Sequence, residues 1–109
     1  MPITAILADH LQVIQQLANQ QEDILEFASL CRTAIMNGNK IFLMGNGGSA
    51  ADAQHLAAEF IGRFEKERIG LPAIALTTDT SILTAVGNDY GFDQIFSRQI
   101  VALARPGDV

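Results

Sequence analysis

Apolar residues return at helical spacing at the start of the chain. Ile3, Ile6, Leu7, Leu11, Ile14, Leu17 and Ala18 fall on one face, which predicts an amphipathic helix over residues 3–18. A second helix is predicted from Glu22 to Met36, with Leu25, Ala28, Cys31, Ala34 and Ile35 on its apolar side. Glu22 and Asp23 sit in its first turn, where the helix dipole favours anions. Asn37-Gly38-Asn39 supplies the stop, because Gly and Asn tolerate the left-handed conformation at a helix end.

The pattern then changes. Lys40-Ile41-Phe42-Leu43-Met44 is a short apolar run ahead of glycine and reads as a strand buried on both faces. A Gly45–Ser49 loop follows, then an Ala-rich helix from Ser49 to about Phe64, with Ser49 as N-cap and Asp52 as its acidic partner. Gly70-Leu71-Pro72 breaks the chain before a second buried strand, Ala73–Leu76. A polar loop, Thr77–Ser81, leads into a short helix ending near Val86, and Gly87–Gly91 reads as a turn. Phe92 to Ala104 reads as a helix on Ile95, Phe96, Ile100 and Leu103. Arg105-Pro106-Gly107-Asp108 is a turn, and Val109 opens a further strand.

Two helices followed by β-α-β-α argue an α/β layer fold with a parallel sheet. Two complete strands are few for such a sheet, so the chain reads as the N-terminal part of a larger domain. Its expected division is residues 1–37 for the leading helices and residues 38–109 for the first βαβα units.

Composition narrows the function classes. Apolar residues make up 49% of the 109 residues and charged residues 17%, as in a packed core. The longest apolar runs are far too short to cross a bilayer, and no basic region precedes an apolar stretch at the N-terminus. Cys31 stands alone, which excludes an intrachain disulfide and fits a reducing, cytoplasmic location. Seven Lys/Arg against twelve Asp/Glu give a net charge of −5, the wrong sign for a duplex-binding domain. Six Phe, one Tyr and no Trp make a poor base-stacking platform. Neither nucleic acid nor membrane is an expected partner.

Three features could carry chemistry. Gly45-Asn46-Gly47-Gly48-Ser49 lies between a strand and a helix, where exposed N–H groups suit a phosphate or a sugar oxygen. It matches neither the dinucleotide nor the P-loop pattern, and it reads equally as a tight βα turn. His55 and Glu59 are four residues apart on one helix face. They are either a surface hydrogen bond or two ligands of one zinc ion, although zinc needs three or four. Asn88-Asp89 falls in a glycine-flanked turn, a common place for Asx residues. The Gly45–Ser49 and Thr77–Ser81 loops both follow parallel strands, so they should share the edge where open α/β sheets bind ligands. His10 reads as a partly exposed structural residue. Arg63, Glu65, Lys66, Glu67 and Arg68 read as a solvated helix end.

From Met44 to Glu59 the sequence, MGNGGSAADAQHLAAE, closely resembles the phosphoheptose isomerases of the sugar isomerase (SIS) domain superfamily. Leu71–Asp79, Val86–Asp93 and Arg105–Val109 continue the resemblance in the same order. It implies a three-layer fold, of which this chain resembles the N-terminal half, preceded by two helices. It also implies a homotetramer, an acyclic heptose phosphate as substrate and a bound Zn²⁺. By the same resemblance Asn46, Gly47 and Gly48 contact the sugar, as do Asn88 and Asp89. His55 and Glu59 take two zinc-ligand positions, and Glu59 also contacts substrate and shares the proton work with a histidine that this sequence does not contain. The family's phosphate loop and its remaining Gln and His ligands come later than residue 109, so this chain alone is expected to be inactive. The DnaA initiator-associating protein, a binding protein of the superfamily, is similar over the same blocks. The position matching Glu59 is not acidic there and the glycine loop is altered, so the resemblance favours the isomerase. A SIS domain that only senses a sugar phosphate is the third reading.

Overall fold

A computed structural model describes residues 2–109, which fall into two compact units, Met1–Arg32 and Thr33–Val109. The first unit holds α1 (Ile3–Gln16), a 3₁₀ turn (Leu17–Gln20) and the start of α2 (Gln21–Met36). The predicted helix over residues 3–18 thus stops two residues early, where the Leu17 N–H bonds back to the Ile14 carbonyl and tightens the chain. No residue of α1 is buried: Ile3 is 73% exposed and Leu11 59%.

The second unit begins within α2. Gly38, at φ +79°, and a hydrogen bond from Asn39 N–H to the Ala34 carbonyl (2.8 Å) end that helix, as the Asn-Gly-Asn stop predicts. Then come β1 (Ile41–Leu43), α3 (Gly48–Ile61), β2 (Ala73–Ala75), α4 (Thr80–Tyr90), a 3₁₀ turn (Phe92–Gln94) and α5 (Ser97–Leu103). The two strands are parallel, with Ile41, Phe42 and Leu43 beside Ala73, Ile74 and Ala75. The fold is α/β with a small parallel sheet. Val109 joins it on the other side of β1: its N–H donates to Lys40 O (3.1 Å) and its carbonyl accepts from Phe42 N–H (2.7 Å). The last residue is therefore placed as a strand opening, beside β1.

Packing follows from small residues on α3. Ala53 and Ala57, one turn apart, are buried together with Ile41, Phe42, Ala73 and Leu76, and α3 packs on both strands. Gln99 of α5 is the buried polar group, and its amide donates to the carbonyls of Leu76 (3.0 Å) and Ile95 (2.9 Å). It ties α5 to the end of β2 with no donor left unsatisfied.

The Arg105–Asp108 turn is fastened to the entry of β1. Asp108 Oδ2 accepts from Lys40 Nζ (2.8 Å) and Arg105 N–H (2.8 Å), while Oδ1 accepts from Lys40 N–H (3.0 Å) and Asn39 Nδ2 (3.1 Å). The Asp108 side chain is only 3% exposed. Lys40 first, then the Arg105 N–H, hold its carboxyl well below the usual carboxylate range, against the opposing effect of desolvation. Gly107, at φ +97°, leaves no room for a Cβ, which would meet Asn39 Oδ1 at 2.6 Å.

A carboxyl depressed by folding stabilises the native state above its unfolded pKa of about 3.9, and that contribution fades as pH falls through the folded value. Asp108→Asn should lower the urea midpoint of the whole protein at about pH 7, and the gap to wild type should narrow below about pH 4. Equal midpoints at neutral pH would remove the clasp from the stability argument.

Candidate functional site

The glycine loop is shaped by what its residues lack. A Cβ at Gly45 would come within 2.6 Å of Ser49 Cβ, so the chain can turn into α3 this closely only with glycine there. Gly47 has φ +59° and is the N-cap of α3, with no side-chain cap bond. The helix therefore starts at Gly48, one residue before the Ser49 cap predicted, and no acidic residue lies in its first turn. The Ser49 N–H donates to Asn46 O (3.0 Å) and the Ala50 N–H to Gly47 O (3.1 Å). Among the described residues the Gly47 and Gly48 N–H groups have no hydrogen-bond acceptor, and Asn46, Gly47 and Gly48 are all exposed. Free N–H groups at a helix N-terminus suit an anion or a sugar oxygen.

Gly48, His55 and Glu59 are separated by seven and four residues along α3 and so share one face. His55 Nε2 and Glu59 Oε1 stand 3.6 Å apart, with the side chains 75% and 34% exposed. That separation is too long for a hydrogen bond. The surface hydrogen bond considered from the spacing is therefore not made. Two ligands at tetrahedral zinc, with bonds near 2.0–2.1 Å, lie about 3.3 Å apart. The pair fits half of such a set, and no group of three or more His, Cys, Asp or Glu side chains comes together among the described residues. His55 and Glu59 line an open cleft of about 480 Å³ with Leu56, Phe60, Phe64, Arg68 and Leu71.

The two loops expected at one sheet edge are joined there. Parallel pairing puts both strand ends together, Leu76 N–H donates to Leu43 O (2.9 Å), and Thr77 Oγ1 bonds to the Ala50 carbonyl (3.4 Å). Asp79 caps α4 by accepting from Ile82 N–H (3.0 Å). That helix runs on to Tyr90, so Asn88 and Asp89 lie in its last turn and not in the glycine turn predicted. The helix is ended by Gly91 at φ +106°, while Gly87 stays helical, with room for a Cβ at 3.7 Å from Ile95. Asn88 Nδ2 donates to Asp89 Oδ1 (3.1 Å), and no hydrogen bond among the described residues ties either of them to the glycine loop or to Glu59. His10 is exposed.

The SIS domain family pattern matches residues 7–109. The chain belongs to the SIS domain family. This SIS chain is 60% identical over 108 residues to the phosphoheptose isomerase of Geotalea daltonii, covering 98% of the chain and 56% of that relative. It is 67% identical over 88 residues to the phosphoheptose isomerase of Aquifex aeolicus, covering 81% and 46%. The solved phosphoheptose isomerase GmhA from Neisseria gonorrhoeae matches it with a TM-score of 0.88 at 48% identity, over 97% of this chain and 55% of that one. A phosphoheptose isomerase from Francisella tularensis matches at TM-score 0.91 and 40% identity, over 97% and 56%. The SIS chain spans about half the length of the relatives it matches.

Arg68 of this SIS domain departs from the solvated helix end that the charge run predicts: its guanidinium donates to four backbone carbonyls, those of Glu59, Phe60, Gly62 and Ile69. Arg63 does pair with Glu67 in solvent (3.0 Å), as a surface charge run should.

Proposed function

We propose that the whole protein is a zinc-dependent phosphoheptose isomerase. It interconverts sedoheptulose 7-phosphate and D-glycero-D-manno-heptose 7-phosphate in the cytoplasm, for the ADP-heptose of the lipopolysaccharide core. The observation that carries this is the His55–Glu59 pair, unbonded at 3.6 Å on the helix that the glycine loop opens. The similarity to chains named phosphoheptose isomerase supports it. Residues 1–109 are then one part of a SIS domain, too little of the site to act alone.

Aldose–ketose isomerisation moves a proton between C1 and C2 through an enediol. Glu59 serves as the base that takes this proton and returns it to the neighbouring carbon. The N–H groups of Gly47 and Gly48 and the Asn46 amide bind the sugar, with Asn88 and Asp89 as a second contact. His55 and Glu59 would hold the zinc ion, which supplies Lewis-acid stabilisation of the substrate oxygens when bound. His55 would supply an imidazole nitrogen and Glu59 a carboxylate oxygen. Purified whole protein should retain zinc and convert sedoheptulose 7-phosphate. Absence of both would leave the non-catalytic binding reading.

The whole protein is further proposed to be a homotetramer in which the leading helices meet other subunits. The support is the exposure of Ile3, Ile6, Leu7, Leu11, Val13 and Ile14 on α1, an apolar surface of a kind that marks association. No helix among the described residues is long and apolar enough to cross a membrane. Light scattering should give four copies, and Leu7→Glu with Leu11→Glu should give smaller species. A tetramer unchanged by both would place the contact elsewhere.

A further inference from the structure

The C-terminal end of α3 is held in an uncommon way. The last carbonyls of a helix have no intrahelical partner, and water or a cap normally satisfies them. Here the chain leaves α3 at Gly62 and turns back, with Glu65 in the left-handed region at φ +60° and Lys66 N–H bonding to Phe64 O (2.6 Å). It returns so closely that a Cβ at Gly70 would lie 2.7 Å from the Ile61 carbonyl. Leu71 N–H then donates to Phe60 O (2.9 Å). Arg68 fills the space between, with Nη2 to Glu59 O at 2.7 Å and Nη1 to Phe60, Gly62 and Ile69 oxygens, each at 3.0 Å. Among the described residues no carboxylate pairs with Arg68. Its fixed charge faces the negative end of the helix dipole.

Glu59 is two residues from the end of this helix. Helix ends fray, and a carboxylate that transfers a proton must keep its place within a fraction of an ångström. We propose that Arg68 is a positioning residue for Glu59: it locks the last turn of α3 so that the carboxylate keeps its place beside His55 in the cleft. This rests on the isomerase reading for its kinetic consequence, though not for the clamp itself. Only a planar fork with several donors can serve four carbonyls at once, so lysine is no substitute.

The test compares Arg68→Met and Arg68→Lys with the whole wild-type protein, well below its unfolding temperature. Met keeps much of the apolar stem of arginine and removes every donor. Turnover should fall by about tenfold to a hundredfold in Arg68→Met, with KM changed by less than about twofold, and Arg68→Lys should recover little. In metal-free protein, amide exchange at Gly62 and Leu71, the donors to Ala58 O and Phe60 O, should accelerate by about tenfold or more, while exchange in β1 stays unchanged. Affinity for Co²⁺, read from its visible absorption, should fall with turnover. Wild-type turnover beside faster local exchange would make Arg68 a cap and nothing more, and overturn the proposal. Unchanged exchange would overturn the clamp itself. A wild-type protein without isomerase activity would instead refute the functional reading, and exchange and Co²⁺ binding would still decide the role of Arg68.

Discussion

Glu59→Gln lowers turnover of the whole protein by about 10²–10⁴-fold and leaves the fold intact. Glutamine keeps the size and helix propensity of glutamate, and Glu59 lies on a cleft wall where its side chain is 34% exposed. Among the described residues no salt bridge to Lys or Arg and no side-chain hydrogen bond of Glu59 is lost, because its one close polar neighbour, His55 Nε2, is already 3.6 Å away. What disappears is the negative charge, and with it both the proposed base and the proposed anionic ligand. Zinc retention should therefore weaken together with turnover. His55→Ala removes only a ligand, so excess zinc should recover part of its turnover, and Glu59→Gln should not respond. Turnover, metal content and circular dichroism measured on the two variants side by side decide the matter. Near-wild-type turnover in Glu59→Gln would return the pair to two side chains on a helix surface.

What could be read in advance was local. The periodicity of Ile3 to Ala18, the Asn37-Gly38-Asn39 stop and the apolar runs at Ile41 and Ala73 each report on neighbours in sequence, and the helices and strands formed there. The parallel sheet followed from their order. Two of the differences arise where a glycine has two meanings. Gly87, which reads as a turn, is helical, because Gly91, with φ +106°, ends α4 instead. The pattern predicts Ser49 as the cap, yet Gly47 at φ +59° starts the helix earlier than a serine cap would.

Two arrangements, one of them long-range, had no sequence signal at all. Asp108 is bound to Lys40 from 68 positions away, and Pro-Gly-Asp shows only a turn. Arg68 donates to main-chain carbonyls, which every residue has, so no pattern of side chains announces it. Its setting in a run of alternating charges suggested solvent, and the neighbouring Arg63–Glu67 pair does lie there. The candidate ligands His55 and Glu59 were visible because i,i+4 spacing is itself a geometric statement. Their 3.6 Å separation, which removes the hydrogen bond, was not.

On the proposed isomerase function, Gly48→Ala should raise KM for the heptose phosphate by about tenfold or more and leave the protein as stable as before, or slightly more so. The three glycines of the loop separate cleanly here. A Cβ at Gly45 meets Ser49 at 2.6 Å, so Gly45→Ala should destabilise the protein by about 1–3 kcal/mol whatever the loop binds. Gly47 has open space around it but φ +59° with ψ −123°, so any side chain there costs about 1–3 kcal/mol in backbone strain. Gly48 has neither restraint: nothing lies within 4 Å of its Cβ position, and it is the first residue of α3, where alanine is the better helix former. The fold alone gives no reason for glycine at that position. A ligand approaching the free N–H groups of Gly47 and Gly48 does, because a methyl group would stand in its path. Melting temperature and KM measured for all three variants in the whole protein check this. An unchanged KM in Gly48→Ala, with the melting temperature held or raised, would leave the loop as a tight βα turn and move the sugar contact elsewhere.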